Sequence, residues 1–184
     1  MLALTVLSGC GTAADSENVR SYFSEVTGFE AHVKILSNLE DSVLEYELDY
    51  VYNKEDSDSF TITAPETLAG IGGTIAGTGS GQFSLQYDGA QLDDAMPQRT
   101  GLTPADSLFC LLSDLRNDAP AGQWTEDVAG QTLLVLRYES EDDRGKIAKQ
   151  VWLTADGRQP VCAELYADNR CILTIQVIRY QEKT

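Results

Sequence analysis

The sequence predicts an α+β domain in which a strongly curved antiparallel sheet forms an incomplete, half-open β-barrel with two covering helices. Apolar and polar side chains alternate every two residues in runs along most of the chain, which favours about ten strands. Two other segments have helical spacing, one ahead of the strands and one among them. A sheet this wide tends to curl, and two amphipathic helices can cover its concave side.

The first helix begins after Asp15 or Ser16, because either side chain can cap the free N–H groups at a helix start. Its apolar residues are spaced i, i+3, i+4 and i+7, which places them on one face, and Thr27-Gly28 ends the pattern. This stripe consists of Val19, Tyr22, Phe23 and Val26.

Long antiparallel strands follow from Phe29, where the period changes to two. Apolar residues alternate with charged ones over residues 31–35 and again over 44–52, and a third strand ends at Pro65. Shorter strands are predicted over 74–76, 82–87 and 90–92, with Asp88-Gly89 as a hairpin turn.

The second helix begins near Thr103, which can act as its cap, with Pro104 at the first helical position. Its apolar stripe is Leu108, Leu111, Leu112 and Leu115, and at about 100° per residue Cys110 lies on the opposite side. Strands are then predicted over 123–128, 131–139 and 146–153, and a final hairpin over 161–178.

The composition limits the classes of partner. Thirteen basic and 29 acidic side chains give a formal charge of −16 at pH 7, which repels nucleic acid and anionic lipid headgroups. Beyond the N-terminal segment no apolar run approaches the roughly 18 residues that span a bilayer. We therefore expect membrane attachment through acyl chains rather than through a basic surface.

The N-terminal segment predicts lipidation of Cys10. Leu7-Ser8-Gly9-Cys10 has the form of a bacterial lipobox and follows a short apolar run, although no Lys or Arg precedes it and the start may lie upstream. The resulting division is a leader over 1–10, a tether over 11–15 and one domain over 16–184. The alternative is a buried cysteine after a hydrophobic first strand.

The remaining cysteines are predicted to be free. A two-residue hairpin tip places Cys171 opposite Tyr166, so Cys162 lies about 13 Å away at ~3.3 Å per residue. A disulfide tolerates a Cα separation of only about 7 Å. Cys110 has no evident partner in the sequence.

Motifs for catalysis or metal binding are weak, so the chain is predicted not to be an enzyme and no cofactor is assigned. The glycine-rich stretch over 70–81 has no phosphate-binding pattern, and we interpret its glycines as bends in a curved sheet or as a flap. His32, the single histidine, is expected in solvent on the outer face. The acidic runs 56–58 and 139–143 are interpreted as solvated loops, and Asp93-Asp94 has no evident opposing carboxylate.

The candidate site is an apolar sheet face that would bind a ligand or, alternatively, form an ordinary core. Alternation shows which side is apolar but not whether the helices fill the space over it. The face comprises Leu44, Tyr46, Leu48, Tyr50, Tyr52, Phe60, Ile62, Phe83, Leu85 and Tyr87.

The arrangement resembles the LolA/LolB-like superfamily, including lipoproteins of the LppX/LprG and GerS types. The resemblance covers an anchor cysteine, a leading helix, strands ending in Phe60-Thr-Ile-Thr-Ala-Pro65-Glu-Thr-Leu68, then Leu85-Gln-Tyr87-Asp88-Gly89, a capped helix after Leu102 and a strand-rich end. It implies a half-barrel whose concave face encloses acyl chains or other apolar ligands.

Three functions follow from this resemblance. The first is a non-enzymatic lipoprotein on the extracytoplasmic face of a bacterial cell membrane, which binds a lipid or another apolar small molecule. The second is a lipoprotein that docks or regulates a cell-envelope or spore-cortex enzyme. The third, weaker, is an envelope-stress sensor of the RseB type.

Overall fold

A computed structural model describes residues 14–38, 42–76, 83–93, 97 and 99–183, and in this part of the chain eleven strands and two helices form the fold. The helices are α1 (Ser16–Glu25) and α2 (Ser107–Asn117). The first strands are β1 (Gly28–Asn38), β2 (Val43–Asn53), β3 (Ser57–Ala64), β4 (Gly72–Ala76), β5 (Phe83–Tyr87) and β6 (Ala90–Leu92). The later ones are β7 (Gly122–Val128), β8 (Gln131–Asp142), β9 (Gly145–Thr154), β10 (Pro160–Ala167) and β11 (Arg170–Glu182).

All described strands belong to one antiparallel sheet in the order β6-β5-β4-β3-β2-β1-β11-β10-β9-β8-β7. Neighbours in this order pair directly, and the first and last of the described strands, β1 and β11, pair with each other. The edge strands β6 and β7 do not pair with each other, so the barrel is open. The predicted α+β half-barrel with two helices is therefore confirmed.

Helix α1 begins as predicted. The Asp15 carboxylate accepts a hydrogen bond from the Asn18 N–H at 2.9 Å, and Val19 and Phe23 on the apolar stripe are buried. Just before the helix, the Ala14 N–H donates to the carbonyl of Ala155 at 2.9 Å. The chain is thus attached to the turn after β9 before the helix starts.

The register of β1 and β2 defines the concave face of the sheet. Val33 pairs with Leu48 and Ile35 with Tyr46 across the two strands, and Val33, Ile35 and Leu48 are almost fully buried. The intervening residues point to the opposite, convex face, as alternation requires. The predicted inward set of β1 and β2 is confirmed.

Helix α2 starts three residues later than the cap at Thr103 predicts. The Asp106 carboxylate turns back and accepts hydrogen bonds from the Gly101 N–H at 2.6 Å and from the Thr103 N–H and hydroxyl. These bonds hold residues 103–106 in a turn, so the first helical residue is Ser107. The predicted start was wrong because the acid satisfies loop donors rather than the helix.

Cys110 is buried, with 8% of its surface exposed, although its helical position is opposite the leucine stripe. The loop before α2 covers it: a side chain at Gly101 would meet the Cys110 Cβ at 2.9 Å. Gly101 also has φ +82°, a conformation that favours glycine. This close approach could not be read from helical periodicity.

Both helices and the concave face form one core. Helices α1 and α2 contact each other, and Val19, Phe23 and Leu115 are buried against sheet residues. A smaller cluster lies on the convex face, formed by Leu133, Val135 and Trp152. No helix among the described residues is long and apolar enough to cross a membrane.

Candidate ligand-binding surface

Half of the predicted apolar face is core. Five of its ten residues are at most 3% exposed and belong to the cluster that contains both helices. They are Leu48, Tyr50, Tyr52, Phe60 and Phe83. In this part of the concave face, the side chains pack against each other and against the helices.

The other half is accessible and forms what we call the open strip. It runs obliquely across the concave face from β2 to β6, and its members are Leu44, Tyr46, Ile62, Leu85, Tyr87 and Leu92. Leu44 is 44% exposed, Tyr87 54% and Leu92 61%, whereas the other three are partly buried against the core. Leu92 pairs directly with Leu85 across the Asp88-Gly89 hairpin, which places it on the same face. Leu92 was not among the predicted site residues, although the pairing of the hairpin could have identified it.

A polar network holds α2 against the covered part of the face. Arg116 donates to the Tyr52 hydroxyl at 2.6 Å, and its guanidinium lies 4.9 Å from the centre of that ring. Next to it, the Asp58 carboxylate accepts from the Tyr50 hydroxyl and, at 3.1 Å, from the Asn53 N–H. Arg116 thus fixes the helix over Tyr52, whereas the hydroxyl of Tyr50 is paired within the sheet.

The interpretation of residues 56–58 as a solvated loop was wrong for Asp58. This residue lies in β3 and is only 2% exposed. Burial raises the pKa of its carboxyl above the usual value, against the opposing effects of the hydrogen bonds and of Arg116. Burial also raises the pKa of Tyr50, so the phenol stays protonated and donates to the carboxylate. The sequence spacing of the acids gave no sign of this contact.

Several surface depressions are lined by described residues. Tyr87 of the open strip lines one of about 380 Å³ together with Thr61, Gly70 and Gln86. Three others are present. One lies between the end of α2 and strands β8 and β9, a second lies at the hairpin that joins β8 to β9, and a third lies next to Tyr22 and Tyr180. The five buried members of the predicted face line none of these four.

Several predicted positions fall outside the described residues, namely Cys10, the glycine-rich stretch from residue 77 and Asp94. Cys110, Cys162 and Cys171 are free thiols, and Cys171 pairs with Tyr166 as predicted. Burial, followed by the Asp106 charge, raises the pKa of Cys110 to about 12, which leaves it protonated at neutral pH.

His32 lies on the convex face as predicted, but it has partners. Its Nδ1 is 2.9 Å from an Asp49 oxygen and its Nε2 is 3.7 Å from Glu47. Asp93 accepts hydrogen bonds from Ser84 and Gln91. In the described part of the chain, no group of three or more His, Cys, Asp or Glu side chains is placed to hold a metal ion.

The convex face carries a tryptophan pair that the sequence analysis did not single out. One Glu126 carboxylate accepts from the indole N–H of Trp124 at 2.7 Å and of Trp152 at 2.9 Å. These hydrogen bonds lower the pKa of Glu126. The two rings pack over Leu133 and Val135, so we interpret the pair as a small outer core.

The backbone arrangement matches solved structures of the same architecture. A domain described as that of an outer membrane lipoprotein-sorting protein, from Vibrio parahaemolyticus, is 13% identical and has a TM-score of 0.52, with 92% of this chain and 91% of that chain covered. The two chains share a fold. An uncharacterized conserved protein from Thermus thermophilus matches with 11% identity and a TM-score of 0.55, covering 91% of this chain and 85% of that one.

A LolA superfamily protein from Nitrosomonas europaea, at 14% identity and a TM-score of 0.48, covers 94% of this chain and 95% of its own. No family model and no curated protein matches the sequence. At 11–13% identity, the similarity to the Vibrio parahaemolyticus and Thermus thermophilus structures shows a shared fold.

Proposed function

We propose that this protein is a membrane-anchored, non-enzymatic bacterial lipoprotein that binds an apolar ligand, such as a lipid acyl chain, on the open strip. The observation that carries the proposal is the division of the concave face. Its covered half is filled by the helices, whereas Leu44, Tyr87 and Leu92 remain 44%, 54% and 61% exposed on the same face. Tyr87 and Leu92 lie on the paired strands β5 and β6, and an exposed apolar patch of this kind typically marks an interaction or ligand site.

The ligand site is therefore narrower than the ten-residue face of the sequence analysis. Tyr50 and Phe60 act as core, and a ligand would contact the open strip, which passes beside them at Ile62. Burial of hydrocarbon drives such binding at about 25 cal/mol per Å² of apolar surface. The charge of −16 disfavours a strongly anionic ligand surface.

Attachment to the extracytoplasmic face of the cell membrane is proposed through Cys10. The lipobox supports it, and so does the position of Ala14, which contacts the domain only four residues after Cys10. Radiolabelled palmitate should be incorporated by the native chain expressed in a bacterial host and not by Cys10→Ala. Equal labelling of both chains would overturn the anchor and leave the ligand proposal intact.

A protein partner in the cell envelope is the second candidate, and the packed interior favours it. A filled core leaves a surface rather than an enclosed hollow, and a surface strip is better covered by another protein than by a flexible acyl chain. The edge strand β6 also favours a protein partner, because all three of its residues are exposed.

Native mass spectrometry separates the two candidates. Residues 11–184, which contain every described element of the fold but not Cys10, are purified from the soluble fraction of a bacterial host and measured before and after extraction with organic solvent. A lipid-sized mass that is lost on extraction and restored by added phospholipid supports lipid binding. A ligand-free mass that takes up no phospholipid refutes it and leaves the protein partner, which cross-linking from the strip position Leu92→Cys would then capture.

A further inference from the structure

A cavity of about 550 Å³ lies between α1, the turn after β9 and the end of β11. This volume is within the range of small-molecule sites, about 300–1,000 Å³. Tyr22 of α1 and Tyr180 of β11 line the cavity, and its accessible wall is mostly apolar. Tyr180 pairs with Ala31 of β1, which belongs to the core, so its ring is on the concave side of the sheet.

The charged groups that line this cavity are mainly acidic. Asp156 and Glu182 face a single cation, Arg158. The Thr154 hydroxyl donates to Asp156 at 2.6 Å and holds the pKa of this carboxyl below its usual value, so it is ionised at neutral pH. Glu182 has no ion pair in the part of the chain that the structure describes. Together with the net charge of −16, this excess of carboxylates attracts cations and disfavours anions.

Arg158 shows that a cation fits against the aromatic wall. Its guanidinium carbon lies over the Tyr22 ring, 5.6 Å from the ring centre, and the face of an aromatic ring attracts a positive charge within about 6 Å. Apart from the nearby charge of Asp156, no described residue pairs with this guanidinium, and the side chain is exposed. A competing cation can therefore replace Arg158 over the ring.

Two tyrosine hydroxyls are a second observation that points to a ligand. In the described part of the chain, three buried side-chain oxygens have no hydrogen-bond partner, and those of Tyr22 and Tyr180 belong to residues of this one cavity. Buried polar groups are normally paired. Both oxygens are covered in this structure, so a ligand reaches them only when a neighbouring side chain moves. Displacement of Arg158 from the Tyr22 ring is such a movement.

We propose that this cavity binds an organic ammonium ion with an apolar body, and that Arg158 occupies the cation position until the ligand displaces it. The ammonium group lies against the Tyr22 ring and the carboxylates, and its N–H groups donate to the phenol oxygens. The apolar body packs against the tyrosine rings. The site shares no residue with the open strip, so the inference does not depend on the proposed apolar ligand.

The test is an NMR titration of residues 11–184 labelled with ¹⁵N. The probe is phenethylamine, and its anionic and neutral counterparts are phenylacetate and 2-phenylethanol. We expect phenethylamine to shift the backbone amides of residues 20–23, 154–159 and 179–182 more than either counterpart does. Equal shifts with 2-phenylethanol, or larger ones with phenylacetate, overturn the proposal. It is also overturned if phenethylamine shifts none of these amides at about fifty times a 1 mM dissociation constant.

Two pairs of variants at exposed positions test the charges. Arg158→Gln removes the internal cation and should tighten phenethylamine binding about two- to fivefold, whereas Arg170→Gln, outside the cavity, should leave it unchanged. Glu182→Gln should weaken binding about two- to fivefold, and Glu141→Gln, with the same change of charge outside the cavity, should not. Unchanged or weaker binding in Arg158→Gln, or equal effects within either pair, would show that the cavity is not the site.

Discussion

Replacing both Leu44 and Leu92 by Ser should weaken the binding of an apolar ligand to the open strip with little effect on folding. Full burial of a leucine is worth about 1.5–3 kcal/mol. A ligand can cover at most the exposed fractions, 44% and 61%. Scaled by these fractions, the two residues together contribute about 2 kcal/mol, or roughly thirtyfold in the dissociation constant.

The assay is a fluorescence titration with the uncharged dye N-phenyl-1-naphthylamine, paired with thermal unfolding followed by circular dichroism. Because both side chains are largely accessible, the free energy of unfolding should change by no more than about 0.5 kcal/mol per substitution. Ile178→Ser is the matched control, since Ile178 is 55% exposed on β11 outside the strip. Unchanged dye binding in the double variant, or an equal loss in Ile178→Ser, would refute the reasoning.

Three further outcomes are expected. Leu115→Ala, at a fully buried position of α2, should lower the free energy of unfolding by about 2–5 kcal/mol in urea, and a loss below about 1 kcal/mol would contradict the packed core. Burial raises the pKa of Asp58 in the folded state, so the protonated carboxyl adds stability at low pH, and this stability is lost as the pH rises through that pKa. The unfolding free energy of Asp58→Asn minus that of the native chain should therefore increase from acid to neutral pH. A difference that stays constant with pH would argue against the raised pKa. Cys110, with its pKa raised to about 12, should react with iodoacetamide at pH 8 on the order of a thousandfold more slowly in the folded protein than in urea, and rapid labelling in peptide maps would show that it is accessible.

The sequence predicts the architecture well because strand alternation is local. The pattern in residues 44–52 identifies the inward set of β2 without any knowledge of the partners, and the register with β1 confirms it. The Asp88-Gly89 turn is equally local, since both residues have positive φ. In the same way, Asp15 as the cap of α1 depends only on residues three apart.

The division of the apolar face could not be predicted, because it depends on where the helices dock. Leu44 and Leu48 are equivalent in the alternation, yet one is 44% exposed and the other 1%. Likewise, Asp58 reads as a loop acid until Tyr50 is brought across the strand pair to donate to it. These outcomes depend on contacts between segments that are distant along the chain.

The hydrogen bond between Ala14 and Ala155 fixes where the segment before α1 contacts the domain. It lies beside β9, whereas the open strip runs from β2 to the edge strand β6, on the far side of β1 in the sheet order. If Cys10 carries the lipid, the four residues to Ala14 reach at most about 14 Å. The half of the sheet that contains β9 would then lie next to the bilayer. The β6 edge would face the aqueous phase, and it would receive a ligand or partner from there rather than directly from the membrane.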